Sequence, residues 1–362
     1  MTSLPGVFTM SFDCEGLWGP SVLTPSLRER ITQGRLTSTY QALIDLLDRH
    51  DLRATFAFVG AFVLSPEEVR QHPEWFENAS GRQWPRTQEF LAKVAHGQSS
   101  GWLSPECFDI VQKNERQELA THGFQHLALR DHALTQDDFR RELELSAAVG
   151  RLKGFTPRTL VFPRNQVGFI DLLAEYGIIG FREYIGMKRL SLPLSESWQV
   201  SYDALAALGR ELKLWQKPQP HPPMISTGQP TSHFEDIIPF ARPNETGRTS
   251  AAAIPSGYFL NWRVGLRQRI PIKLSVARWS RMLRQAAQTG GMVHLWSHPH
   301  NFITGDQQLE FFEAILNEAS ALVRRGDLIN LTQQQYSEHV LGRANNSQPA
   351  SATATRTALR AG

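Results

Sequence analysis

The chain reads as an α/β protein with parallel strands, on three observations. Gly6 to Phe12 (GVFTMSF) and Ala54 to Gly60 (ATFAFVG) are short apolar runs, the pattern of strands buried on both faces. Between them Leu36, Tyr40, Leu43 and Leu47 recur at helical spacing. Strand–helix–strand is a βαβ unit, which favours parallel pairing. Periodicity does not by itself separate a barrel from an open sheet.

The later elements repeat the theme. Asp137 to Val149 predicts a helix, and Thr159 to Phe162 and Met292 to Trp296 predict strands. Asp306 to Arg325 predicts an amphipathic helix, with Leu309, Phe312, Ile315, Leu316, Ala319 and Leu322 on one face and Gly326 as the stop. Two stretches break the rhythm. Residues 73–104 carry Trp75, Trp84 and Trp102 among polar residues and read as an insertion with little regular structure. Residues 186–255 read as a second insertion; from Trp215 on it is proline-rich, largely loop or extended chain, and expected to border a binding site. One domain is expected over 1–342, with 343–362, small, polar and free of acids, as a disordered tail.

Composition removes several function classes. The 38 basic and 35 acidic side chains leave a formal charge of +3, too little for a nucleic-acid partner, and no basic block appears. Cys14 and Cys107 form no CxxC pair, so neither a disulfide framework nor a thiolate zinc site is indicated. No apolar stretch approaches the ~18 residues of a membrane span, and the N-terminus lacks the features of a secretion signal. A cytoplasmic location is expected, with peripheral attachment at an inner membrane left open.

Four patterns carry chemistry. Asp13 and Glu15 follow the first strand, and period-two alternation puts both on one face with Cys14 on the other. His122 and His126, at i and i+4, would meet on one side of a helical turn, where both could reach one ion. His294, His298 and His300 put three of the twelve histidines within seven residues. Arg164 follows Pro163 at a strand end and could orient a carboxylate through a bidentate hydrogen bond. Each pattern alone also fits an ordinary structural role. Their order along the chain decides between the readings.

That order, acids after the first strand, ATFAFVG, ELATHGFQH, FPRNQ and HLWSHP, resembles the polysaccharide deacetylase family with the NodB homology domain, carbohydrate esterase family 4-like. The likeness covers roughly residues 6–185 and 250–335. It implies a distorted parallel (β/α) barrel of about seven strands, with the site at the strands' C-terminal ends. It implies Asp13 as general base, His122 and His126 as metal ligands, Arg164 as the arginine orienting the base, and His298 as general acid with His294 in reserve. The usual adjacent aspartates are absent because Cys14 fills the second place. Branches with Asp, any residue, then Asp or Glu are similar to this chain, which makes Glu15 the metal-binding carboxylate; a Cys14 thiolate is the lesser alternative.

The expected activity is removal of an N-acetyl group from a sugar by metal-activated water. Imidazole and carboxylate ligands suit Zn2+, and also Co2+ or Ni2+. The expected partner is an N-acetylated carbohydrate, with Trp18, Trp296 and His294 as substrate-binding candidates; for any one tryptophan, a core role is the competing reading. Two alternatives stand beside this. One is a deformylase or other amide hydrolase acting on a lipid- or nucleotide-linked sugar. The other is a carbohydrate-binding protein on the same fold without catalysis.

Overall fold

The computed structural model describes residues 5–19, 24–77, 84–127, 134–183 and 251–347. Most of the 186–255 insertion, and the tail beyond 347, lie outside them.

Among the described residues nine strands form one sheet in which every pairing is parallel. The central strand is β1 (Gly6–Cys14), longer at its C-terminal end than the apolar run predicted. On one side follow β2 (Thr55–Phe58), β3 (Glu118–Thr121), β4 (Thr159–Val161), β5 (Gly180–Glu183) and β6 (Ala252–Pro255). On the other lie β8 (Met292–Ser297) and then β7 (Tyr258–Phe259). β9 (Leu328–Asn330) pairs with the first residues of β1.

β6 and β7 are successive pieces of one extended segment, parted by Ser256 and Gly257. The first piece pairs with β5 and the second with β8, so this segment brings the two edges of the curled sheet together. Counting it as one stave, and leaving out β9, which lies off the path beside the start of β1, the sheet makes a split barrel of seven. Gly257 makes the join possible. Its φ is +62°, and a Cβ there would stand 2.0 Å from the His294 carbonyl oxygen.

Helices cover the outer face. In α1 (Gln33–Arg49), Leu36, Tyr40, Leu43 and Leu47 are buried as their spacing predicts, and the Thr32 side chain accepts from Arg35 N at the N-terminus. They pack with Phe8, Met10, Phe12 and Cys14, the outward residues of β1. α4 (Gln136–Lys153) opens on a capping box between Thr135 and Asp138. α3 (Pro105–Gln112), α5 (Ile272–Thr289), α6 (Pro299–Thr304) and α7 (Gln308–Arg324) complete the layer, and α7 buries all of its predicted face except Leu309, which is partly covered. α8 (Gln333–Ser347) runs past residue 342, where the tail was expected to begin.

Residues 73–104 differ from expectation. They contain a helix, α2 (Pro85–Ala95), and their aromatics belong to the core: Phe76, Phe90 and Trp102 are all buried. Trp18 packs against Phe90 and Trp102, with ring centroids 4.7 Å and 5.5 Å away. The irregular spacing of these aromatics hid a real packing layer. The last four residues of the second insertion, likewise, form β6. No helix among the described residues is long and apolar enough to cross a membrane.

Candidate metal centre at the open end of the barrel

Thr9, Ser11 and Asp13 alternate into the barrel, the face opposite Phe12 and Cys14. In register with Asp13 and along the same layer, Ala57, Ala120 and Val161 form a small apolar cluster. These small side chains leave room for one large one, Arg182 of β5, which is fully buried. Its two terminal nitrogens donate to the two Asp13 oxygens at 2.6 Å each. It also donates to Ser11 Oγ at 3.2 Å and Asn165 Oδ1 at 3.0 Å, and its guanidinium lies 4.7 Å from the Trp296 ring centroid. Burial would raise the Asp13 carboxyl; Arg182, with His122, outweighs it and holds the pKa below the usual carboxylate value.

The arginine beside Asp13 is therefore Arg182, not Arg164. Arg164 is exposed, at φ +56° in the turn after β4, and its neighbour Asn165 is the residue of that turn that reaches inward. The signal in the sequence was an arginine inside the apolar run IIGFRE.

His122 and His126 do converge, with ring centroids 4.9 Å apart, but on an irregular loop after β3 rather than a helical turn. His126 is in the left-handed region at φ +56°, a conformation costing about 1–3 kcal/mol for a non-glycine residue. Glu142 of α4 holds the loop, accepting from Phe124 N at 2.8 Å and Gln125 N at 3.0 Å through one oxygen. His122 donates from Nδ1 to the Val161 carbonyl at 2.7 Å. That leaves Nε2 as a lone pair, buried and without a hydrogen-bond partner.

Glu15 lies 4% exposed at the centre of the group. Its Oε2 is 2.8 Å from His126 Nε2 and 3.5 Å from His122 Nε2; its Oε1 is 3.5 Å from His298 Nε2 and 3.9 Å from His300 Nδ1. Burial would raise its pKa, but His298 and His126 hold it well below the usual value. Gly19 passes so close that a Cβ would fall 1.9 Å from the carboxylate carbon and force the Glu15 side chain to shift. Ligand atoms of Glu15, His122 and His126 all lie within 4.8 Å of one another. An anionic oxygen and two imidazole nitrogens, one of them with an orphaned buried lone pair, fit a divalent ion.

The remaining predicted residues fall into two groups. His298, one-fifth exposed, borders the cluster, with Nε2 3.8 Å from Asp13 Oδ2. Trp296 is half-buried beside it, against Phe259. His294 and Trp18, by contrast, present no surface to a ligand. His294 is wholly buried, with Nε2 bonded to Ser11 Oγ and Nδ1 to the Pro255 carbonyl, and burial with the nearby Arg182 pushes its pKa down to about 3. Trp18 donates its ring N–H to the Trp102 carbonyl inside the core. Burial raises the Cys14 thiol well above its usual pKa, and it points away from the cluster as alternation requires.

The fold has a counterpart among solved structures. A Mycobacterium smegmatis protein assigned to the polysaccharide deacetylases aligns over 99% of each chain with a TM-score of 0.50, at 16% identity. The chain has the polysaccharide deacetylase fold. At that identity the likeness concerns the barrel and its helices. The family 4 carbohydrate esterase from Streptomyces lividans (13% identity, TM-score 0.36, 90% of this chain and 91% of that chain) aligns less well. So does the peptidoglycan deacetylase from Bacillus subtilis (12%, 0.38, 94% and 95%). No protein-family model matches the sequence, and neither does any curated protein. Within the deacetylase fold, the cluster sits at the C-terminal ends of the strands, where barrels of this kind place their chemistry.

Proposed function

We propose that the chain is a metal-dependent hydrolase that removes the N-acetyl group of a sugar. What carries this reading is one arrangement: an Arg-paired Asp13 and a partly exposed His298, 3.8 Å from each other and both bordering Glu15, His122 and His126. A binding protein needs no ionised base and no proton donor 3.8 Å from it.

Glu15, His122 and His126 would hold the ion, zinc on the chemistry of the donors. When bound there it supplies Lewis acidity, polarising the acetamide carbonyl and making water more acidic. The protein's own residues do the rest. Asp13, kept ionised by Arg182, takes a proton from water as that water's oxygen attacks the carbonyl carbon. The C–N bond then breaks, and His298 gives the leaving nitrogen a proton from Nε2. The balance is amide plus water to acetic acid plus amine, and the proton left on Asp13 returns to His298, whose Nε2 lies 3.8 Å from Asp13 Oδ2. Arg182 stays paired to Asp13 throughout and fixes where its free lone pairs point. Trp296, half-buried beside His298, would be the aromatic that meets a sugar ring.

Purified protein should contain a divalent metal and release acetate from N-acetylated sugars, and a chelator should abolish the release. Formate in place of acetate from N-formylated sugars would mark a deformylase. Metal without turnover on any such amide would turn the reading to a binding protein.

A further inference from the structure

The two oxygens of Glu15 face different histidine pairs. Oε2 faces His122 and His126; Oε1 faces His298 and His300. Glu15, His298 and His300 form a second set whose ligand atoms lie within 4.8 Å of one another. Two atoms on one tetrahedral zinc, each ~2.0–2.1 Å from it, stand about 3.3 Å apart. The 3.5 Å and 3.9 Å separations here need only small adjustment to meet that spacing. His300 supplies an independent observation. It is 4% exposed, and its Nδ1, the atom facing Glu15, is buried with no hydrogen-bond partner. A buried nitrogen left unanswered is costly, so its aim at a carboxylate oxygen calls for a ligand.

We propose a second divalent-metal site at Glu15 Oε1, His298 Nε2 and His300 Nδ1, bridged to the first through the Glu15 carboxylate and inhibitory when filled. It rests on the reading of Glu15, His122 and His126 as the first site. Inhibition follows from His298: a ring nitrogen bound to metal has no proton to give the leaving amine. Asn301 controls access. Its amide lies 3.3 Å from His298 Nδ1, as a donor to a bare Nδ1 or, with Oδ1 turned inward, as an acceptor from Nδ1–H. Filling the second site requires Nε2 to give up the proton that the acid role needs and leaves Nδ1–H facing Asn301 Oδ1. The second ion therefore binds more weakly than the first.

Titration of the metal-free, full-length protein with zinc alone, followed by calorimetry and elemental analysis, tests this. Two ions should bind, one tightly and one weakly. His300→Asn should lose the weak one and keep the tight one; Asn301→Asp, which accepts from Nδ1–H, should tighten the weak one by about 10-fold or more. Acetate release should fall as zinc fills the weak site, and His300→Asn should escape that fall relative to its own maximum. A single ion in the wild type that His126→Asn removes would overturn this site while leaving the proposed function standing. Two ions in both the wild type and His300→Asn would also overturn it. No zinc at all would overturn both readings.

Discussion

At the N-terminal end of the barrel Glu118 sits among Thr55, Thr159 and the start of α8; at the C-terminal end Asp13 and Glu15 sit beside Arg182 and four imidazoles. Both ends bury carboxylates. Glu118 Oε2 accepts from Thr55 Oγ1 at 2.7 Å and Gln334 N at 2.9 Å, and Oε1 accepts from Thr159 Oγ1. Hydroxyls and one backbone N–H answer it, no cation does, and burial lifts its pKa above the usual range. Asp13 and Glu15 shift the other way because full or latent positive charge surrounds them. Glu118 is spent on holding β2, β3, β4 and α8 together. The acids at the opposite end face nitrogens with no protein partner, His122 Nε2 and His300 Nδ1. The same residue type closes one end of the barrel and equips the other.

Asp13→Asn should break the chemistry of the C-terminal end most severely. Turnover should fall about 10²–10⁴-fold, the usual worth of a positioned base, while zinc content stays that of the wild type. Turnover that survived would make Asp13 a structural acid like Glu118, and the contrast between the ends would collapse. Arg182→Met should come next. It strands the Asp13 charge in the barrel and should cost about 3–5 kcal/mol of stability in urea unfolding. Arg164→Ala, at an exposed position, should stay within about 0.5 kcal/mol. Equal effects of the two would contradict the assignment of Arg182 as the partner of Asp13. Glu118→Ala should act on stability alone. It leaves Gln334 N unpaired, at about 1–3 kcal/mol, with zinc affinity and turnover per folded molecule unchanged. A loss of zinc binding in that variant would mean the two ends are not independent.

Local patterns make much of the fold and half of the site legible in the sequence. The buried faces of α1 and α7 follow from the 3.6-residue period, and β1's alternation puts Asp13 and Glu15 together with Cys14 opposed, because each depends on neighbours in sequence. What depends on distant contacts is not legible there. Arg182 and Asp13 are 169 residues apart, and β5 is only four residues long, so nothing local distinguishes Arg182 from the more conspicuous Arg164. The loop carrying His122 and His126 imitates a helical turn, since i, i+4 spacing is blind to a positive φ at Gly123 and His126. His300 stands in plain view in SHPHN, but only its orphaned Nδ1 separates it from a core histidine. In residues 73–104, core membership comes from contacts with Trp18 across the chain.

Glu142 lies behind the C-terminal end and sharpens the comparison further, because it does Glu118's kind of work at the opposite pole. It holds backbone N–H groups, and burial pushes its pKa up to about 7 against those two donors. A folded-state pKa above the unfolded one means a contribution to stability that is present below about 4.5 and lost as pH rises through about 7. Glu142→Gln keeps an acceptor for Phe124 N and Gln125 N but cannot ionise. Wild-type stability should therefore decline between pH 5 and pH 8 more steeply than that of the variant, in thermal unfolding of the metal-free proteins. Zinc affinity at pH 6 should differ little, because the loop is held by the same acceptor in both. Parallel pH profiles would mean Glu142 is ionised in the fold at pH 5 already, so that its two N–H donors outweigh burial. In that case it resembles Asp13 in charge while sharing Glu118's role, and charge state would no longer divide the working carboxylates of this barrel from the structural ones.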